Sequence, residues 1–340
     1  MMPPIVERVP ARAALAGNPS DGYHGAVFAL PVAAYSTIVS IAPRADGYEL
    51  SDAHCGSIRF AGWADVQHAI DTVTAGVPHC LLLGAVATTV EQNGSLQPFR
   101  LSVETTIPMS VGLAGSSAIV IAALRALRRW SDGATAARDD DALAVDALAV
   151  ETDRLGIAAG LQDRVVQVRN RPMLMRFDRE ATRNGPGRFT AVESPTLDQP
   201  FRFLVAVRAG SSAPSQTVHG DLRARFDAHD ERVIGAMPLL AQHAVAAATA
   251  YVSGDVAGVG AAMDATFDVR ASMLDLAPRH VEMIHAAQAG GAYANYTGSG
   301  GAIVVLCADD SIEATARHSL NRLGCDIVSV DVGSAPSGAR

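Results

Sequence analysis

Pro108-Met109-Ser110-Val111-Gly112-Leu113-Ala114-Gly115-Ser116-Ser117-Ala118 joins an alternating apolar segment to a helical one. Upstream, Leu101, Val103 and Thr105 alternate with Glu104 opposite, the period-two pattern of a half-buried strand over 100–106, which Pro108 ends. Downstream, Ile119, Val120, Ala123, Leu124 and Leu127 recur at helical spacing. A strand that runs through glycines into a helix can hold a phosphate. Glycine lets the backbone approach closely, consecutive N–H groups point at the anion, and the helix N-terminus adds partial positive charge. Ser116 and Ser117 can offer hydroxyls to a phosphate oxygen or to Mg²⁺. A flexible loop whose serine caps a helix is the competing reading. It sits less well with Gly, Gly, Ser, Ser placed between two apolar elements.

Composition narrows the chemistry. The 340 residues contain no lysine, so all 27 basic residues are arginine. A lysine-dependent G-x-x-x-x-G-K-[ST] loop is excluded, and any fixed cation beside a phosphate must be Arg or His. With 49% hydrophobic and 18% charged residues the chain can bury a sizeable core. A formal net charge of -8 argues against non-specific binding to nucleic acid or anionic membrane. Cys55, Cys80, Cys307 and Cys325 are too far apart for a C-x-x-C motif and are expected to be free thiols in a reducing compartment. The N-terminus does not resemble a signal peptide, and no segment reaches the ~20 apolar residues a membrane span needs. A cytoplasmic protein, monomer or homodimer, is expected.

Outward from the loop, strands are expected over 26–30, 36–41, 201–207, 292–296, 302–307 and 326–330. Helices are expected over 64–74, 77–90, 139–155 and 312–323, with Gly156 closing the third. Residues 183–200, rich in Gly, Pro and polar residues, read as a connection, and 333–340 as a disordered tail. Two further segments carry polar groups at abrupt turns. Arg12 lies in an apolar run that ends in Gly17-Asn18-Pro19-Ser20-Asp21-Gly22, which is turn chemistry. Tyr296-Thr297-Gly298-Ser299-Gly300-Gly301 links two strands. Each is weak alone.

Together, and in this order, the three segments resemble the GHMP kinases, and the resemblance covers nearly the whole chain. Gly17–Asp21, Gly112–Val120, the run Gly160-Leu161-Gln162-Asp163-Arg164-Val165-Val166-Gln167, and Tyr296–Ala302 resemble the glucuronokinase branch in particular. Met109, where a basic residue is expected, and Tyr23-His24 depart from it. The resemblance implies a two-lobed α+β GHMP kinase fold with the active site in the inter-lobe cleft. It implies an N-terminal domain over 1–190, a C-terminal domain over 191–332, and use of ATP and Mg²⁺ to phosphorylate a small-molecule hydroxyl, D-glucuronate at its anomeric position. Other sugars, a mevalonate-like alcohol, or a non-catalytic paralogue that binds sugar and ATP are the alternatives.

Residue roles follow by position. Asp163 is expected to act on the acceptor hydroxyl as base or electrostatic stabiliser, and Arg12 to stabilise the transferring phosphoryl group. Gly112, Leu113, Ala114, Gly115, Ser116 and Ser117 would hold the phosphates, and Ser117 with Glu151 the Mg²⁺. Asn18, Ser20, Asp21, Thr297, Gly298, Ser299 and Gly300 would line the substrate. Arg164 or Arg270, with His219 a further candidate, would pair with a uronate carboxylate. His280 and His285 do not share a face well and are not expected to bind a metal.

Overall fold

Two strands that each run through two parts of the molecule set the architecture. The computed structural model describes residues 3–132, 139–177, 190–193, 201–208 and 215–331, with the backbone alone for Asp132, 191–193 and 215–220. The tail 333–340, and 183–189 and 194–200 of the expected connection, lie outside the described residues. The chain forms two compact units interleaved in sequence, 1–11, 35–107 and 115–169 in one, 12–34, 108–114 and 170–340 in the other. This division differs from a single cut between 190 and 191. Its cause is that β1 (Ile5–Ala16) changes unit after Ala11 and β2 (Ala26–Pro43) after Ala34.

The apolar runs 26–30 and 36–41 are one strand, although Pro31 lies between them. Residues 26–29 pair with β6 (Met173–Arg176) and 37–43 with β5 (Phe99–Thr105), so Pro31, which has no N–H, falls outside both ladders.

In the first unit β3 (Tyr48–Asp52) pairs antiparallel with β4 (Gly56–Phe60) and parallel with β5. Leu101 and Val103 of β5 are buried while Arg100 and Glu104 are exposed, as the alternation requires. Among the described residues this unit also holds the helices α1 (Trp63–Thr72), α2 (Cys80–Asn93), α3 (Gly115–Asp132), α4 (Asp140–Ala149) and α5 (Leu161–Arg169). The helical pattern over 139–155 is interrupted, because α4 gives way to a π-helical turn, Val150–Arg154, before Gly156 at φ 66°.

In the second unit β6 pairs with β7 (Thr190–Glu193), a short strand inside the stretch whose composition suggests only a connection. An antiparallel sheet follows in the order β11-β8-β10-β9, from β8 (Arg202–Val207), β9 (Tyr293–Tyr296), β10 (Ala302–Cys307) and β11 (Asp326–Val330). Helices α6 (Ser215–Asp227), α7 (Glu231–Val252), α8 (Val256–Met273), α9 (Pro278–Gln288) and α10 (Asp310–Arg322) belong here. Asp230, Asp255 and Asp309 cap α7, α8 and α10 by accepting a first-turn N–H, which secures these helix starts.

By length and composition α7 could cross a membrane, a stretch the sequence does not single out. Core packing accounts for its apolar face. Val233, Ala236, Met237 and Leu240 cluster with Tyr23, Leu222 and Met273, and Tyr251 stacks on Phe201 at 4.7 Å.

Two glycine substitutions in adjacent helices are expected to act in opposite directions. A Cβ on Gly260 of α8 would meet the Tyr293 ring at 2.1 Å, so Gly260→Ala is expected to destabilise by ~1–3 kcal/mol through overpacking. A Cβ on exposed Gly235 of α7 meets nothing within 4 Å, so Gly235→Ala is expected to stabilise by ~0.5–1 kcal/mol. Urea denaturation of both variants checks the signs.

Candidate active site

The second unit brings three distant segments together through their backbones. On β1, the Arg12 N–H donates to Leu113 O at 3.2 Å and the Ala14 N–H to Thr297 O at 3.0 Å. The Arg12 guanidinium also donates to Thr297 O. Thr297 Oγ1 in turn donates to Gly112 O at 3.0 Å. Gly112 (φ 75°) and Gly298 lie so close that a Cβ on the first would stand 2.8 Å from Ser299 N, and one on the second 2.5 Å from Gly112 O. No other residue fits either position without moving a loop.

Ser110, Gly112 and Ala114 have φ of 56°, 75° and 61°. Left-handed residues at every second position are the backbone pattern from which anion-accepting nests are built. Two of the three are not glycine, and each costs about 1–2 kcal/mol relative to a right-handed conformation. Such strain concentrates at ligand-holding loops. Gly115 then opens α3, with Ser116 exposed and Ser117 buried.

The first turn is built inward. Asn18 donates to Tyr296 O at 3.4 Å and accepts from Asn295 at 3.4 Å, and Ser20 Oγ donates to Ala26 O at 2.9 Å. Both side chains are buried and hold the turn. Asp21 is partly exposed, as are Gly298 and Ser299, whereas Thr297 and Gly300 are buried.

Arg270, near the end of α8, is 2% exposed. It donates to Asn18 O at 3.3 Å and Gly298 O at 2.8 Å, and lies 5.2 Å from the centre of the Tyr296 ring. Its Nε has no hydrogen-bond partner, and among the described residues no carboxylate pairs with it. Burial, with a smaller effect of the like charge on Arg12, lowers its pKa to about 10, which still leaves a cation at neutral pH. Burial raises the Tyr296 phenol to about 12.

A second group of side chains lies in the first unit. Asp163 stands in the first turn of α5, with its side chain 20% exposed. Arg164, next to it, is buried and donates to Glu151 and, at 2.6 Å, to Gly160 O. Its Nη1 is 3.6 Å from Asp163 Oδ2. Ser117 Oγ donates to Gln167 Oε1 at 2.7 Å, and Gln167 Nε2 to Pro10 O at 2.9 Å. Gln167 is legible in the Gly160–Gln167 run, but nothing in that run says that it would seat Ser117.

Two of the expected site residues pair with each other. Arg164 is neutralised by Glu151 and does not offer a free guanidinium to a substrate. Glu151, 1% exposed and bonded to Arg164, does not offer an oxygen to Mg²⁺ in this arrangement. Mg²⁺ takes few protein oxygens and keeps several waters, so Ser117 Oγ remains a fitting donor. Among the described residues no cluster of three or more His, Cys, Asp or Glu could hold a metal. The side chain of His219 lies outside the described residues.

A strained, glycine-packed loop leading into a helix is the local structure of a phosphate-binding enzyme. The profile of the GHMP kinases N terminal domain matches residues 81–171. Over 308 residues the chain is 30% identical to "Probable glucuronokinase 2" of Arabidopsis thaliana, covering 87% of this chain and 82% of the relative. To "Glucuronokinase 1" of the same plant it is 30% identical over 320 residues, covering 89% and 85%. The solved structure of Streptococcus pneumoniae phosphomevalonate kinase in complex with phosphomevalonate and AMPPNP superposes with a TM-score of 0.77 at 15% identity, covering 96% of this chain and 100% of that one. The chain belongs to the GHMP kinase family and is an ATP-dependent phosphotransferase with an alcohol group as acceptor.

The loop contact can be probed without touching a polar side chain. Gly112→Ala must push the 297–301 loop aside, and a displacement of ~1 Å commonly costs about a hundredfold in rate. A fall of that order in kcat/KM is expected in a coupled ADP-release assay. Ala114→Gly relieves the left-handed strain and is expected to stabilise by ~1 kcal/mol in urea denaturation.

Proposed function

We propose that the enzyme transfers the γ-phosphoryl group of ATP to the anomeric hydroxyl of D-glucuronate, giving glucuronate 1-phosphate, in the cytoplasm and as a monomer or homodimer. The observation that carries the substrate is Arg270. A buried guanidinium whose hydrogen-bond partners among the described residues are backbone carbonyls favours an anion beside it, and the planar fork suits a carboxylate. Arg164, already paired with Glu151, is not available for that role. The names of the two plant relatives support the same substrate.

In this reading the Ser110–Ala114 nest and the start of α3 hold the ATP phosphates. Ser117 would hold the Mg²⁺ that offsets phosphate charge. Asp163 accepts or stabilises the proton of the acceptor hydroxyl while the hydroxyl oxygen attacks the γ-phosphorus and ADP leaves. Arg12 stabilises charge on the transferring group, and Asp21 with the edge of the 297–301 loop contacts the sugar.

Asp163→Asn keeps the shape and removes the basic oxygen, so kcat is expected to fall ~10²–10⁴-fold with ATP affinity nearly unchanged. Activity within about threefold of wild type rejects the role, since general-base effects are far larger.

A panel of glucuronate, galacturonate, glucose, galactose and mevalonate, with the product identified by NMR, checks the substrate. Glucose leaves the guanidinium without its anion, and loss of one charge-assisted bond of ~1.5–3 kcal/mol predicts a preference for glucuronate of roughly ten- to a hundredfold. Equal use of glucose, or preference for mevalonate, rejects glucuronate and leaves the kinase assignment intact. Arg270→Ala is expected to lose activity selectively on uronates, with KM for ATP unchanged.

A further inference from the structure

We infer that Arg223 of α6 is a positioning residue for the acceptor: it grips the 20–23 turn from its outer side and so fixes where Asp21 meets the sugar. The inference rests on the proposed contact of Asp21 with the acceptor.

The turn is short and locally weak. Ser20–Tyr23 is a single 3₁₀ turn of four residues, the tighter and more poorly bonded form of helix, entered from Pro19 without a side-chain cap. Gly22 is exposed and follows Asp21, and His24 leaves the turn with φ 64°. Glycine adds backbone freedom next to the carboxylate that has to be aimed. The inner side of the turn is anchored in the core. Ser20 Oγ donates to Ala26 O at 2.9 Å, and Tyr23 is buried among Leu222, Val233, Met237, Leu240 and Met273.

Arg223 meets the outer side. Its Nη2 donates to Gly22 O at 2.5 Å, a bond between residues 201 positions apart in the chain. Its guanidinium carbon lies 4.4 Å from the centre of the Tyr23 ring and 5.8 Å from that of Phe226, and these two rings pack at 4.7 Å. One side chain thus holds both residues that follow Asp21. Arg223 also lies 3.8 Å from Asp227, one turn along its own helix, a surface pair that adds little.

Arginine suits the double contact, because a planar guanidinium rests on an aromatic face and donates within its plane at the same time. Burial pushes the Tyr23 phenol up to about 12, so the ring under the cation stays neutral at physiological pH. The grip comes from a fixed frame. Arg225, two residues on, donates to Asp230 at 2.9 Å and to Met273 O at 2.7 Å, which ties α6 to the start of α7 and the end of α8. The turn and α6 are therefore linked, and a displacement of α6 is carried to Asp21.

The experiment uses Arg223→Ala, Arg223→Lys, Asp21→Ala and the double variant Arg223→Ala with Asp21→Ala, all in the full chain. The acceptor is the panel compound that wild type uses best, glucuronate on the reading above. Thermal melts by circular dichroism and steady-state kinetics are measured for each. Arg223→Ala is expected to melt cooperatively and to raise KM for the acceptor about tenfold, the lower end for one lost charge-assisted bond. Its kcat and its KM for ATP are expected to stay within about threefold, the pattern of lost binding with chemistry intact. Arg223→Lys keeps a cation for the ring and a donor for Gly22 O, and is expected to recover most of the loss. If Arg223 acts through Asp21, its removal adds nothing once Asp21 is gone. The double variant is then expected to match Asp21→Ala in acceptor KM within about twofold.

A wild-type acceptor KM in Arg223→Ala overturns the inference. Additive losses in the double variant also overturn it, and assign Arg223 an effect separate from Asp21. Failure of Arg223→Ala to melt cooperatively, a matching rise in KM for ATP, or no recovery in Arg223→Lys makes the residue purely structural and overturns it as well. An unchanged acceptor KM in Asp21→Ala rejects the Asp21 contact itself. A raised KM in Asp21→Ala beside an unchanged one in Arg223→Ala rejects the inference alone.

Discussion

Contact between the backbones of Gly112 and Gly298 is the constraint on which the phosphate-loop side of this enzyme depends. With no side chain between them, the loop before α3 and the hairpin loop between β9 and β10 touch directly. Thr297 Oγ1 and Gly112 O then come within hydrogen-bond reach, and Thr297 O can receive both the Ala14 N–H and the Arg12 guanidinium. Arg270 reads the outcome, because its fork spans Asn18 O and Gly298 O, one carbonyl from each of two motifs. Hydrogen bonds of this kind are individually modest. Their shared dependence on one close approach makes the assembly behave as a unit.

A chain without lysine must manage buried charge with arginine alone, and three arginines show how. Arg12 and Arg270 donate to backbone carbonyls, whereas Arg164 is neutralised by Glu151. Guanidinium suits this work, since it spreads its charge over a plane, offers five donors and stays protonated where an ammonium would titrate. Arg270 illustrates the margin, for even with its pKa lowered to about 10 by burial it remains a cation at neutral pH. A compositional oddity thus has a structural consequence at every position where a fixed positive charge is buried.

Much of the fold and part of the site are legible in the sequence. The 108–118 stretch reveals its strand, loop and helix because the periodicity changes from two to 3.6 across the glycines. β9, β10, α10 and β11 fall close to where turn residues and apolar runs place them. Partnership across the chain is what local pattern does not carry. Glu151 and Arg164 are thirteen residues apart on different elements, and the π turn that brings them together leaves no mark in an otherwise helical pattern. Asn18 and Ser20 belong to a polar turn, and only the fold reveals that they face inward. Pro31 suggests two strands where one continues, because the sequence does not say which ladders use its missing N–H.

The interleaving of the two units has a consequence for synthesis. Residues 12–34 belong with 170–340, but the 35–169 stretch is made between them. At ~5–20 residues per second, a ribosome needs on the order of ten seconds to bridge that gap. During that interval the apolar ends of β1 and β2 have emerged while the chain that will cover them has not. Until it arrives these strand edges can pair with the wrong partner.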